Sequence, residues 1–382
     1  MKTLLLLTLV ALLSATTTNA TNYYFSSVSG DDSRTSTQAK SSATPWKTLG
    51  KLNSYFLSLM PGDSVLFKRG ETFYGSITIA KAGTTSLPIV FGAYGTGNKP
   101  VITSLVTLGS WVSKGNGVWE SYNSSLGSVV NTVLLNDVEQ EMGRYPNSNA
   151  ANSGYLVYET HSGKTSITDN ELTSDVNWTG AELVIRPRRW ILERNLVTAH
   201  SGTKISYTTT SIYEPYDKFG YFFQNSPKTL DKFGEWYYNP STKKLSVYFG
   251  SNSPTSYTLS ASTIANIIYS ANKSNIVFDN LTIKGGNVSG FTITNGSNLS
   301  IKNCDILFSG EDGIVANSSI GLRIENCTVA NSNNNAIYAG SGASSIIRNN
   351  RILNTALIAG LQQPGDGNAI ALRSNGDGNI VE

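Results

Sequence analysis

The strongest constraint on this chain is a repeat of 23 residues that runs through its C-terminal third. Ile283, Ile306, Val329 and Ile352 fall 23 apart, as do Phe278, Ile301, Ile324 and Ile347, and as do Asn280, Asn303, Asn326 and Asn349. A further apolar column, Phe291, Ile314 and Ile337, keeps the same spacing. A fixed period in the low twenties marks stacked supersecondary units. Short alternating runs rich in β-branched residues, separated by Asn, Gly and Ser, make those units strands and turns. The leucine pattern of leucine-rich repeats is absent. An all-β parallel β-helix follows, each coil rising by the inter-strand spacing of ~4.8 Å.

Stacking at identical register has two consequences. The Asn280 column is expected to form an amide ladder along the axis. Asp279, Lys302, Glu325 and Arg348 make a column of alternating sign, which is favourable between neighbouring strands. Cys304 and Cys327 share one column, and two thiols without histidine read as small buried residues rather than a metal site. Export would still permit a disulfide between them.

Composition agrees with an exported β protein: charged residues are only 14%, glycine numbers 35, and the net charge is +3. That charge, without a basic cluster interleaved with aromatics, gives no reason to expect a nucleic-acid partner. The long apolar run Leu4–Leu13 follows Lys2 and leads to Thr18-Asn19-Ala20. It reads as a signal peptide over residues 1–20, too short to span a membrane. The protein is expected outside the cytoplasm, secreted or at the cell surface or periplasm, and as a monomer.

Residues 21–104 read as an N-terminal cap and first coils. Leu49, Leu52, Phe56 and Leu59 have helical spacing, and a helix there would cover the open end of the solenoid. Val65, Ile77 and Ile89 are expected to supply one strand to each face of the first coil. Residues 105–257 lack the repeat and hold five of the six tryptophans, which predicts an inserted β-rich domain. Residues 258–382 resume the solenoid. The sequence stops at Val381-Glu382, within what should be another strand, so a longer protein is expected.

The segments YYFSSVSGDD, TPWKTLGKLN and PGDSVLFKRGETFYGSITI resemble the cap and first coil of secreted right-handed β-helix proteins of the pectate-lyase-like superfamily. EMGRYPN (Glu141–Asn147) and FFQNSPKTLDKFGEWYYNPSTKKLSVYF (Phe222–Phe249) look like parts of the β-helical glycoside hydrolases in that group. The resemblance implies a polysaccharide-cleaving enzyme with catalytic carboxylates on later coils.

Glycoside cleavage needs two carboxylates about the scissile bond, or in a lyase a base beside a cation. Glu311 and Asp312 interrupt the scaffold pattern, and Asp312, Asn335 and Asn368 share a column. The coil from Ile337 to Ile370 is 33 residues long, and its expansion carries Gln362, Gln363 and Asp366. Asp312, Asp366 and Glu311 are therefore the candidate catalytic residues, although Asp-Gly and Asn-rich turns also suit β-helix corners. Arg144, Trp190, Gln362 and Gln363 are candidate substrate contacts, since arginine forks bind carboxylates and indoles stack on sugars. Residues such as Arg144, Tyr145 and those of IRPRRW (Ile185–Trp190) more often pack an insertion on its scaffold, and that reading carries the greater weight. His161 and His200 are isolated. Asp31 and Asp32 form only a lone acidic loop pair for calcium, so no cofactor or metal is expected. The expected activity is a glycoside hydrolase; the alternatives are a lyase for acidic glycans and a non-catalytic glycan-binding or adhesin-like solenoid.

Overall fold

Each repeat closes a coil because its apolar residues alternate inward in three short runs, with turn residues between them. In one coil Ile276, Phe278, Ile283, Phe291 and Ile293 are all fully buried. The computed structural model describes residues 20–361, 367–374 and 376–382, so the expected signal peptide up to Asn19, with Gln362, Gln363 and Asp366, lies outside the described residues.

Three parallel sheets form the solenoid. The first face stacks Asn22–Phe25, Ser64–Lys68, Ile89–Tyr94, Ser274–Asp279, Ser297–Lys302, Arg323–Glu325, Ile346–Arg348 and Ile380–Val381. The second stacks Thr72–Tyr74, Val101–Thr103, Thr282–Lys284, Asp305–Ser309, Thr328–Ser332 and Arg351–Thr355. The third stacks Ile77–Ile79, Asn266–Ala271, Ser289–Thr294, Ile314–Asn317, Ile337–Gly340 and Ile370–Arg373. The sequence columns are the observed register: Phe278 pairs with Ile301, Ile301 with Ile324, and Ile324 with Ile347. Ile337 pairs with Ile370 across the expanded coil. Lys302 lies 3.5 Å from Asp279 and Arg348 lies 2.7 Å from Glu325, as an alternating column allows.

Two details differ from the sequence reading. Val65 and Ile89 both lie on the first face, in successive coils, whereas Ile77 is on the third; the second-face strand of the first coil carries Phe73. Pairing of Val65 with Phe91 puts the two strands side by side. The Asn280 column is also not a buried ladder, since Asn326 and Asn349 are exposed. Asn280, Asn303, Asn326 and Asn349 instead have φ of 54–60°, the left-handed bend that closes each corner after the first face. Asparagine tolerates that bend better than other residues with a Cβ. Replacement of Asn303 by Leu is therefore expected to destabilise by about 1–2 kcal/mol, and replacement by Gly to do little. Paired chemical-denaturation curves check this. Amide pairs do occur in other columns, between Asn272 and Asn295, Asn275 and Asn298, and Asn331 and Asn354.

The helix Leu49–Tyr55 and the turn Phe56–Ser58 close the N-terminal end, burying Leu49, Leu52, Phe56 and Leu59. Thr48 Oγ1 caps the helix by accepting from Lys51 N at 3.1 Å. Asp32 accepts from Lys47 N, Thr48 N and Thr48 Oγ1, and Asp31 from Ser33, so both acids serve this turn. Cys304 and Cys327 are buried free thiols.

Between Val101–Thr103 on the second face and Asn266–Ala271 on the third, the chain leaves the solenoid. Leu105–Thr107 and Leu259–Ser262 pair antiparallel, so the excursion begins and ends side by side. Its larger sheet contains Arg144–Tyr145, Gly220–Gln224, Glu182–Arg188 and Ile191–Ser201, with its own core around Trp178, Leu183, Tyr221 and Phe223. Among the described residues no helix is long and apolar enough to cross a membrane.

Candidate active site at one corner of the solenoid

The two largest departures from the plain repeat, the excursion and the expanded coil, fall at one corner, where the chain passes from the second face to the third. That corner comprises residues 285–288, 310–313 and 333–336 in successive coils, then the expansion 356–369. The excursion leaves and rejoins the solenoid at the same corner one coil earlier. Three sequence features that looked separate therefore converge in space.

Asp312 heads a polar ladder along this corner. Its Oδ1 accepts from both N and Nδ2 of Asn335 at 2.9 Å, and Asn335 Oδ1 accepts from Asn368 N at 2.9 Å. The column read from the sequence is thus real, and its bonds pin the Asp312 carboxylate to the scaffold. Glu311 is set by backbone bonds to the neighbouring coils, donating from N to Val288 O and accepting from Asn334 N. Its side chain lines an open cavity of about 530 Å³. Burial pushes the Glu311 carboxyl up, the adjacent Asp312 charge adds to this, and Arg194 pulls it back.

The opposite wall of that cavity comes from the excursion. Arg194 bonds the Glu182 carboxylate at 2.7 and 2.8 Å, and Gln224 and Asn225 donate to the same carboxylate at 2.9 and 2.8 Å. Gly360, in the expanded coil, lets the chain pass over Arg194: its φ is +81°, and a Cβ there would meet Arg194 Cγ at 2.4 Å. Glycine is required on both counts.

Glu139 is the residue that sequence reasoning missed. It follows the two-residue turn Asn136-Asp137, whose φ values of 49° and 64° define a tight hairpin between Val133–Leu135 and Val138–Glu139. It lines an adjoining cavity of about 340 Å³ with Arg144, Phe222, Asn333 and Ile358, and Met142 borders both cavities. Glu139 Oε2 is buried without a hydrogen-bond partner. Burial pushes this carboxyl up to about 8, with Asn333 acting in the opposite direction. Asn333 Nδ2 donates to Asn131 O at 2.8 Å, while the Oδ1 atoms of Asn333 and Asn131 are both buried and unpartnered. Asn131 lines the Glu311 cavity and Asn333 the Glu139 cavity.

The other candidates separate. Arg144 lies 3.6 Å over the Phe222 ring and donates to Pro146 O at 3.0 Å and Gly154 O at 2.5 Å, so it is locked into the excursion while bordering the Glu139 cavity. Trp190 is 59% exposed at the tip of the hairpin Glu182–Ser201 and lines neither cavity. At strand rise, the six residues from Glu182 to Arg188 put that tip ~20 Å from Glu182. Of the expanded coil, Leu357, Ile358 and Ala359 reach the Glu139 cavity and Gly360 and Leu361 the Glu311 cavity, whereas Gln362, Gln363 and Asp366 lie outside the described residues. His161 is held by Asp217 at 2.5 Å.

Comparison with known proteins agrees with this architecture. Residues 246–382 match the family model described as the right handed beta helix region. A stretch of 129 residues is 38% identical to lacto-N-biosidase of Bifidobacterium longum subsp. longum, covering 33% of this chain and 8% of that protein. The match thus spans less than a tenth of the curated relative. A solved structure described as a glycoside hydrolase superposes over 95% of this chain and 96% of its own, with a TM-score of 0.66 and 12% identity. The lacto-N-biosidase of Eubacterium ramulus aligns over 94% of this chain and 55% of its own, at 14% identity and a TM-score of 0.40. The chain is a parallel β-helix protein, and its residues 246–382 carry the right-handed β-helix signature.

Proposed function

We propose that this chain is the β-helical part of an exported glycoside hydrolase that cleaves glycan chains in the corner groove, with Glu139 and Glu311 as the acting carboxyl groups. The observation that carries the reading is the convergence of these two buried-side carboxyls, one from the excursion and one from the solenoid, on adjoining cavities joined at Met142. The identity shared with a lacto-N-biosidase supports glycosidic bonds as the target class.

Their environments suit different roles. Glu139 keeps its proton at neutral pH and would give it to the departing glycosidic oxygen. Glu311, which burial and Asp312 push up and Arg194 pulls back, would act on the opposite side of the bond, activating water or attacking the anomeric carbon. Asp312, fixed by Asn335, raises Glu311 and thereby tunes it. A lyase needs a free cation to neutralise a uronate, and the cations bordering these cavities, Arg194 and Arg144, are committed to Glu182 and to Phe222 with backbone carbonyls.

The full-length protein incubated with a panel of neutral and acidic glycans tests this. Reducing ends are expected to accumulate without ultraviolet absorbance from unsaturated sugars, and to fall about 10²–10⁴-fold with Glu311→Gln. A rise in absorbance would make it a lyase, and silence across the panel would favour a binding solenoid.

A further inference from the structure

The excursion carries a second cavity, away from the corner groove, whose lining is cationic and aromatic. It encloses about 330 Å³ and is bordered by Arg186, Arg189 and Lys218 together with Tyr155 and Phe219. All three cations are exposed, and none has a carboxylate partner among the described residues. Nor does any acid line the cavity. Near Lys218 in sequence, Glu214 and Asp217 are turned onto His161, and near the two arginines Glu182 is bonded by Arg194 and Glu193 accepts from Ser211 Oγ.

The chain departs from regular geometry to build this arrangement. Residues three apart on a regular strand point to opposite sides. A register shift between Ile185 and Arg188, at Pro187, breaks the alternation and lets Arg186 and Arg189 border one cavity. Arg188 is diverted onto Tyr216, with its guanidinium 3.6 Å from the ring centre. Two of the lining residues, Asn152 (φ 52°) and Lys218 (φ 65°), hold left-handed backbone without being glycine. Such local strain concentrates where a binding surface needs it. Gly220 makes room for the aromatic wall, since a Cβ there would meet Tyr155 Cδ1 at 2.9 Å.

We propose that this cavity is a second saccharide site that takes a carboxylate-bearing glycan, with Arg186, Arg189 and Lys218 on the carboxylate and Tyr155 and Phe219 against the sugar ring. Guanidinium forks match carboxylates in two parallel bonds, and aromatic faces accept the apolar face of a pyranose. The site would hold an acidic chain against the excursion while a different segment occupies the corner.

Binding is measured without turnover, so the result is independent of the hydrolase reading. Calorimetry uses the full chain with a polyuronate, a neutral glycan of similar length, and inorganic polyphosphate, at low and high salt. The polyuronate alone is expected to bind, with at least a tenfold loss in Arg186→Ala/Arg189→Ala and a comparable loss in Arg186→Lys/Arg189→Lys, which keeps the charge but removes the forks. Lys218→Ala provides a second, separately folded variant and is expected to weaken binding by several fold. Equal binding of polyphosphate, undiminished binding in the Lys variant, or no binding of the polyuronate would each overturn the assignment.

Discussion

Glu139→Gln is expected to abolish hydrolysis of natural glycans while making the protein more stable at neutral and alkaline pH. The first effect follows from losing the proton donor, worth about 10²–10⁴ in rate. Substrates with an activated aryl leaving group need no such donor, so the variant should retain much of its rate on them. The second effect has a sign fixed by proton binding. The folded carboxyl titrates at about 8, above its ordinary value of 4.5, so the native state holds a proton that the unfolded chain releases. Stability from this group is complete below pH 4.5 and is lost as pH rises through 8, at about 1.4 kcal/mol per pH unit. The amide has no charge to bury, so its advantage is expected to vanish near pH 4 and reach on the order of 4 kcal/mol near pH 8. Melting curves across that range, with parallel rates on natural and aryl substrates, check both halves. A pH-independent stability difference, or equal rate losses on the two substrates, would count against an acid role.

Phe278→Ala is expected to be the most damaging single truncation in the solenoid, at about 3–5 kcal/mol. Phe278 is fully buried, stacked on Phe91 at 5.0 Å and edge-on to Phe291 at 5.1 Å. Phe91 and Phe278 belong to neighbouring coils although the whole excursion separates them in the chain. An empty site there removes contact across the parallel seam between Ile89–Tyr94 and Ser274–Asp279, whose register the 23-residue period does not enforce. Denaturant unfolding of the variant should show a lowered midpoint, and any second transition would locate uncoupling of the N-terminal coils from those after Ser274. A loss below 1 kcal/mol would mean that neighbouring side chains fill the gap.

The solenoid was legible because its period is fixed by the coil itself. Once Phe278, Ile283 and Phe291 are assigned to three runs, every later column follows, and the Asp312–Asn335–Asn368 column came with them. Register does not reveal which way a polar side chain points. The Asn280 column was accordingly assigned to a ladder, whereas its residues supply a left-handed bend and the amide pairs lie at Asn272, Asn275 and Asn331. Glu139 was hidden for a different reason. Its neighbour Asn333 is almost two hundred residues away, and no repeat relates them; only the folding of the excursion over the corner brings them together. The Asn136-Asp137 turn delivers the Glu139 carboxyl into a cavity that nothing local in the sequence marks. Glu182 and Arg194 were obscured in the same way.

The antiparallel pairing of Leu105–Thr107 with Leu259–Ser262 also bears on the order of folding. Until the excursion is formed, docking Ile89–Tyr94 onto Ser274–Asp279 requires closure of a flexible loop of about 180 residues, an entropic charge of about 4–5 kcal/mol. An excursion that folds first on its own two apolar cores would bring its ends together and remove most of that barrier. The solenoid could then zip in both directions from a seam already aligned. By this logic the excursion acts as a built-in assembly template as well as one wall of the groove.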